Sequence, residues 1–503
     1  PGTEGANGVA FSPDSRWVLF SSSDDRVKRV PLEGGRPETL VRSPQPAGLT
    51  WNEKLGPVLG MPLMSARYKG LSTIPPSSDT TLTPLTIPVD RERFMMHHEP
   101  LALADGNTIL FADIERGGAK LGVFSINDST TGTVDLDVRQ LAGVAGDILV
   151  YVDRADNLMA ARVDLKAHRV IGQSVRIAVG TETVNHAVLS PTGTLVIHTV
   201  PSAYQAVFVD ERGVAEPLAP DTTNWVQPRY SPDGRRIVID GNFRRSTAMW
   251  LYDTEARALS KLNDGKSSAV RVATWSPDGD RVLNATRDAR GFNFEWIAVD
   301  ATRAPESIAG FPPGATVGSV AVSPDGRALV IGTAFRSGGF NLQLLRPGVD
   351  SAATPFVETD ANEVAPTFSP DGRWLAYASD ESGRYEVYAK PFPGPGARVQ
   401  ISDAGGGEPV WAKDGRRLYY RNGRDMMVAD IDRGARDGAL GVRGRRYLFS
   451  GDYYGGLSER GASYDISPDG TRFVMARSLE GAGTQLLVWT GWLDELRRRL
   501  VEQ

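Results

Sequence analysis

Short runs of apolar, aromatic and branched residues recur along this chain, each cut off by a polar corner. Trp17-Val18-Leu19-Phe20, Trp374-Leu375-Ala376-Tyr377 and Tyr385-Glu386-Val387-Tyr388-Ala389 are examples. Side chains of this kind fit a pleated, packed surface, and runs this short bounded by turn residues read as strands. The pattern predicts hairpins almost from end to end.

The corners share one phrase: an apolar or aromatic residue, Ser-Pro-Asp-Gly, then a basic or polar residue. It reads Phe11-Ser12-Pro13-Asp14-Ser15-Arg16, Leu189-Ser190-Pro191-Thr192-Gly193, Tyr230-Ser231-Pro232-Asp233-Gly234 and Trp275-Ser276-Pro277-Asp278-Gly279. It returns as Val322-Ser323-Pro324-Asp325-Gly326, Phe368-Ser369-Pro370-Asp371-Gly372 and Ile466-Ser467-Pro468-Asp469-Gly470, with Trp411-Ala412-Lys413-Asp414-Gly415 in the one long gap. Proline presets φ for the first corner of a type I turn, aspartate bonds back to nearby amides, and glycine takes the positive φ that closes it. From Ser190 onward the copies start about 41 to 55 residues apart, a period that marks a β-propeller. One four-stranded unit cannot bury both faces of its sheet, so neighbours stack around a ring.

Degenerate copies bring the total to eleven units. Weak ones are anchored at Leu49-Thr50-Trp51-Asn52 (running through Pro75 and Pro76), at Leu103-Ala104-Asp105-Gly106-Asn107, and at Ala145-Gly146-Asp147. The expected architecture is all-β, a tandem of β-propellers with four-stranded blades. Residues 1–221 form an N-terminal ring of five units, 222–490 a C-terminal six-bladed ring, and 491–503 a short helix. One larger ring is the alternative closure. The five-unit ring is expected to lack a blade encoded before Pro1, since the chain opens on Pro1 without a methionine and reads as a fragment. Trp492, Leu493, Leu496 and Leu500 share helical spacing, with acids early and arginines late, so the last segment is expected to be a short helix packed on the last blade, with a partner-docking helix as the alternative.

Composition narrows the function classes. A net charge of −5 gives no electrostatic footprint for nucleic acid. With no cysteine there is no disulfide scaffold, thiol nucleophile or cysteine-bound zinc. No run approaches the length of a membrane helix within this chain.

The repeated phrase resembles the TolB-type propeller repeat. A narrower match runs from Phe368-Ser369-Pro370-Asp371-Gly372-Arg373-Trp374 through Pro391-Phe392-Pro393-Gly394-Pro395-Gly396. It continues in Gly406-Gly407-Glu408-Pro409-Val410-Trp411 and Arg416-Arg417-Leu418-Tyr419-Tyr420-Arg421, up to Asp430. This stretch is similar to the extracytoplasmic region of bacterial transmembrane serine/threonine kinases, as are Trp492-Leu493-Asp494-Glu495-Leu496-Arg497-Arg498 and the opening Pro1-Gly2-Thr3-Glu4-Gly5-Ala6. The resemblance is thin between Ser43 and Val184. It implies a kinase domain and a membrane helix ahead of the propeller, and an extracytoplasmic or periplasmic location.

Candidate chemistry is sparse. No kinase phosphate loop or His-Arg-Asp or Asp-Phe-Gly triplet occurs, and no Gly-x-Ser-x-Gly elbow. His97-His98-Glu99 has metal-ligand residue types, but neighbours on a strand point to opposite faces, so a structural role is expected. Each corner aspartate stands alone in its turn, which suits capping and not calcium. Tyr419-Tyr420 and Tyr453-Tyr454 could line a binding face, although on strands alternation puts one of each pair in the core, and Gly451-Asp452-Tyr453-Tyr454-Gly455-Gly456 is a candidate contact loop. No catalytic, cofactor-binding or metal-binding residue is assigned and no cofactor is expected. The expected function is non-catalytic binding of a protein, peptide or small ligand as a kinase sensor. The alternatives are a free periplasmic scaffold and, behind it, the propeller of a peptidase.

Overall fold

The computed structural model describes residues 7–22, 26–42, 46–60, 70–74, 82–87, 96–115, 118–177, 183–190, 192–200, 204–218, 225–243, 246–263, 274–288, 291–300, 303–311, 315–335, 339–434, 440–455, 461–478 and 485–501. Pro75 and Pro76, the opening six residues, Pro191 and Gly456 lie outside them.

The chain is all-β, with eleven antiparallel sheets and one short helix among the described residues. Ten sheets have four strands and one has three. We number them as blades 1 to 11. Blades 1 to 4 begin at Asn7–Phe11, Leu49–Asn52, Met96–Ala102 and Gln140–Ala145, and each is a simple up-and-down meander. Blades 6 to 10 are built alike and begin at Trp225–Tyr230, Thr274–Trp275, Ala315–Val322, Glu363–Phe368 and Gly407–Trp411.

Blades 5 and 11 break the linear order. Blade 5 pairs Thr183–Leu189 and Leu195–Val200 with Gln485–Trp489 from the far end of the chain. Blade 11 joins Tyr464–Ile466 and Arg472–Ser478 to Tyr204–Asp210 and Ala215–Pro217. The compact units are therefore 1–202 with 482–503, and 203–481, instead of a boundary at 221/222 with a separate helical end. Each run alternates well enough to pair with either candidate neighbour, and the linear reading chose the nearer one. Exchange instead lets both ends of the 203–481 segment share one sheet, so that a single blade closes the second ring.

That closure is complete. The residue before each corner serine packs on the preceding blade: Tyr230 with Ala206 and Val474 of blade 11, Trp275 with Val238 and Met249 of blade 6. Phe368 meets Ala321 and Val330 of blade 8, Trp411 meets Ala376 and Ala389 of blade 9, and Ile466 meets Tyr419 and Val428 of blade 10. Phe294 of blade 7 packs with Leu329 and Ile331 of blade 8. Alternation within a strand divides its side chains between two cores. On Trp374–Ser379, Leu375 and Tyr377 face blade 8 while Ala376 faces blade 10. Both faces of such a strand are buried, which is why it reads as continuously apolar.

The corners have the expected geometry. The serine hydroxyl donates to its aspartate at 2.5–2.7 Å in the copies at Ser231, Ser276, Ser323, Ser369 and Ser467. It also accepts the amide five residues on, as Arg236 N to Ser231 Oγ at 2.9 Å. The serine bond holds Asp233, Asp278, Asp325 and Asp469 below the usual carboxylate range. In blade 1, Ser15 stands in the glycine place and adopts φ 56°.

The helix, Leu493–Val501, belongs to the first unit. Leu496 and Leu500 enter a core shared with Val150, Leu195 and Ile197, and Trp492 Nε1 donates to Gly193 O at 2.9 Å. Its acids lie in the first turn and its arginines in the last, favourable against the helix dipole. Among the described residues no helix is long and apolar enough to cross a membrane.

Candidate ligand cavity

A bulge repeats on the innermost strand of several blades. Gln227, Ala365 and Glu408 each take φ near +50° (54°, 52° and 55°), and each precedes a proline, Pro228, Pro366 or Pro409. Strand register slips at those points, between Val226 and Arg229, Val364 and Thr367, and Gly407 and Val410. A proline cannot donate to the ladder and an extra residue must leave it, so the two features share one site. Glu99-Pro100 of blade 3 repeats the arrangement, with Glu99 at φ 50°. The sequence carries this signal as X-Pro a few residues before the corners of these blades, at Pro228, Pro366 and Pro409. The more regular Ser-Pro-Asp-Gly phrase that follows at once masks it.

In the second ring these bulges line an axial cavity of about 220 Å³, to which all six blades contribute. Thr274, Ser319, Ala365, Thr367 and Gly461 give its wall small or polar stretches between Val320, Phe368 and Val410. Its charged members are Arg229 and Asp465. Arg229 Nη1 donates to Pro228 O at 2.7 Å and to Tyr464 O at 3.2 Å, and Nη2 donates to Ala462 O. The guanidinium therefore ties blade 6 to the backbone of blade 11. Burial lowers its pKa from the ordinary value, and the negative charges of Asp465 and Glu408 oppose that shift. The Asp465 carboxylate accepts Tyr230 N and Ile466 N, both at 2.8 Å. Burial pushes Asp465 up to about 6, against the pull of Arg229.

Beside the cavity lies a buried polar network. Ser463 Oγ donates to Glu408 Oε2 at 2.6 Å, Tyr464 Oη donates to Glu408 O at 3.0 Å, and Arg421 Nη1 donates to Tyr454 O at 2.9 Å. These bonds fix the wall that presents Arg229 and Asp465. The cavity is smaller than the clefts of roughly 300–1,000 Å³ that hold drug-sized molecules. It suits a small polar group or one projecting side chain.

The residues singled out in the sequence are dispersed. His97 and His98 do point to opposite faces. The His97 ring shares a hydrogen bond with Thr86 Oγ1 at 2.6 Å and lies 4.4 Å from Phe111, while Nε2 of His98 is buried without a hydrogen-bond partner. Burial lowers both to about 4, so both are neutral at physiological pH. Among the described residues no three His, Cys, Asp or Glu side chains converge as a metal site. Tyr419 and Tyr420 do not line a surface: both are buried, Tyr419 toward blade 11 and Tyr420 toward blade 9, because both faces of blade 10 are covered. The segment 451–455 lies against blade 11. Tyr454 N donates to Ala476 O at 2.7 Å and the Tyr204 and Tyr454 rings meet edge-on at 5.1 Å.

Comparison with known proteins gives partial likenesses. The family model described as "WD domain, G-beta repeat" matches residues 2–28. A curated relative, the "Uncharacterized peptidase YuxL" of Bacillus subtilis, is 25% identical over 190 residues, 36% of this chain and 27% of its own. The chain thus aligns with about a quarter of that relative's length. Among solved structures, a putative TolB from Agrobacterium tumefaciens has a TM-score of 0.42 and 18% identity, over 55% of this chain and 98% of that one. TolB from Acinetobacter baumannii has a TM-score of 0.38 and 12% identity, covering 78% and 81% of the two chains.

Proposed function

We propose that this chain is a non-catalytic recognition module whose second ring receives a small polar group, or a side chain projecting from a partner, in its axial cavity. The observation that carries this reading is the cavity itself: six innermost strands converge on it, and a half-buried arginine and aspartate, Arg229 and Asp465, mark one wall. Ligand clefts of drug size are larger and mostly apolar; a cavity this small, with Thr274, Ser319, Thr367, Arg229 and Asp465 in its wall, suits a polar group. Isothermal titration of short acylated peptides into the purified chain and into Thr274→Trp, which fills the cavity, tests it. Saturable binding lost in the variant supports the reading; binding equal in both contradicts it.

The finer role is that of an extracytoplasmic sensor attached to a receptor-type serine/threonine kinase. It is supported by the residue resemblance over 368–430 and at the terminal helix. An encoding gene that reads upstream into a membrane helix and kinase motifs supports this; a secretion signal directly before Pro1 favours a free periplasmic scaffold. The peptidase likeness favours a second reading, a propeller that gates a separate hydrolase domain. The chain itself has no nucleophile elbow.

A further inference from the structure

We infer that blade 5 carries a site for a divalent transition-metal ion, built on the cross-strand pair His186 and His198 and steadied by the side-chain amides of Gln140 and Asn185. The site lies in the first unit and does not depend on the axial cavity of the second. Sheet pairing creates it. His186 on Thr183–Leu189 stands directly opposite His198 on Leu195–Val200. Directly opposed residues of antiparallel strands share a face, with Cβ atoms about 4.5–5.5 Å apart. The two rings stack with centroids 6.4 Å apart and planes 11° from parallel. His97 and His98 cannot do this, because neighbours on one strand face opposite ways.

Both rings are held at the same nitrogen. Gln140 Nε2 lies 2.9 Å from His186 Nδ1, and Asn185 Nδ2 lies 3.2 Å from His198 Nδ1. That leaves Nε2 of each ring as the nitrogen for an ion. A metal-bound imidazole keeps its proton on the other nitrogen and donates it to an oxygen. A side-chain amide offers both an NH2 and a carbonyl, so by turning over it serves the free ring and the metal-bound ring alike. Gln140 and Asn185 are thus positioning residues, and the imidazoles are the ligands.

The face is accessible. His186 is exposed and His198 half-buried, and Leu486, opposite His198 on the third strand, is 67% exposed. Arg139 runs close by, but its charge is met: Nε lies 2.9 Å from Asp156 Oδ1, and Nη2 donates to Val184 O at 2.9 Å and Asn185 O at 3.1 Å. Imidazole donors suit zinc, copper and nickel. Two zinc–nitrogen bonds of about 2.0–2.1 Å at a tetrahedral angle require the rings to close by roughly 1 Å, a side-chain rotation that an open face permits. Two protein donors leave the remaining positions to water or to a donor from a partner.

The chain has no cysteine and five histidines, so competing sites are few. Zinc chloride is titrated calorimetrically into the purified chain and into His186→Gln, His198→Gln, Asn185→Ala and His168→Gln. His168 is an exposed histidine elsewhere in the first unit. The unaltered chain is expected to bind one equivalent, and each ligand variant to bind at least about tenfold more weakly; Asn185→Ala should keep both ligands and still lose about tenfold. His168→Gln should bind as the unaltered chain does. Zinc should also raise the midpoint of the first unit's thermal transition in the unaltered chain and in neither ligand variant, whose metal-free melts check that they fold. Absence of saturable binding, or equal affinity in His186→Gln and His198→Gln, overturns the site. Loss in His168→Gln assigns the ion elsewhere and overturns it too, and full affinity in Asn185→Ala overturns the positioning role.

Discussion

Gly234 of blade 6 rests on Pro468 of blade 11: a methyl group on its α-carbon would lie 3.1 Å from Pro468 Cδ. The two residues come from opposite ends of the second unit, so this contact is the ring's seam at the corner level. It repeats around the ring, where a methyl would lie 3.4 Å from Pro232 at Gly279, 3.4 Å from Pro277 at Gly326 and 3.6 Å from Pro324 at Gly372. The corner phrase therefore does two jobs, closing a turn and spacing adjacent blades. Gly234→Ala carries both a positive-φ strain (φ 77°) and that contact. Gly348→Ala (φ 75°) carries the strain alone, with nothing within 4 Å. Urea unfolding should show a loss of about 1–2 kcal/mol for Gly348→Ala and roughly 1 kcal/mol more for Gly234→Ala. Equal losses would mean the seam contact carries no energy.

Ser15 offers the reverse test. Its φ of 56° is held by a residue that disfavours the left-handed region, at a corner where the clear copies of the second ring have glycine. Ser15→Gly should raise stability by about 0.5–1 kcal/mol, offset in part by the entropy of the added glycine. A thermal melt of the first unit's transition measures it, and a lowered midpoint would contradict the assignment.

Arg229 is expected to be structural as well as a marker of the cavity. Arg229→Gln removes the donors to Tyr464 O and Ala462 O and takes away the positive charge that opposes the upward shift of the half-buried Asp465. Losing these charge-assisted hydrogen bonds costs on the order of 1.5–3 kcal/mol each. Adding Asp465→Asn should recover part of that loss. A double-mutant cycle by chemical denaturation reads the coupling, and additive losses would show that the two groups do not interact.

Glu363 predicts a pH dependence. It is buried, accepts Thr359 Oγ1 at 2.5 Å, and its Oε2 has no hydrogen-bond partner; burial pushes it up to about 7. Because the folded value lies above the unfolded one of about 4.5, the native state holds the extra proton between them. Stability from this group is present below pH 4.5 and lost as pH rises through 7, by at most about 3 kcal/mol. Glu363→Gln should flatten the stability profile between those pH values. An unchanged slope would assign it to other groups, Asp465 among them.

The sequence revealed much of this fold because its corners are chemically obligatory: Ser, Pro, Asp and Gly each meet a distinct need of the turn, so their period survives in print. The terminal helix was legible for the same reason, Leu496 and Leu500 recurring at helical spacing. Pairing was not. Val207 and Val209 alternate as any half-buried strand would, and nothing local says that they face Met475 and Phe473 instead of the adjacent hairpin. Tyr419 and Tyr420 illustrate a second limit. Alternation placed them on opposite faces, but only the ring shows that both faces are covered. The cavity was the least visible, because its wall comes from bulges on strands spread along the whole second unit.

Every statement about the axial cavity depends on closure of the second ring by the exchanged strand Tyr204–Asp210. Ala206 lies opposite Ala476 in that sheet, and directly opposed strand residues sit at a Cα separation that a disulfide can span. In this cysteine-free chain, Ala206→Cys with Ala476→Cys should oxidise to a near-quantitative intramolecular disulfide that joins the two ends of the second unit after proteolysis. Ala206→Cys with His198→Cys, the partner a simple local hairpin would provide, should stay reduced. The opposite outcome, a bond to position 198 and none to 476, would contradict the closed ring and with it the cavity.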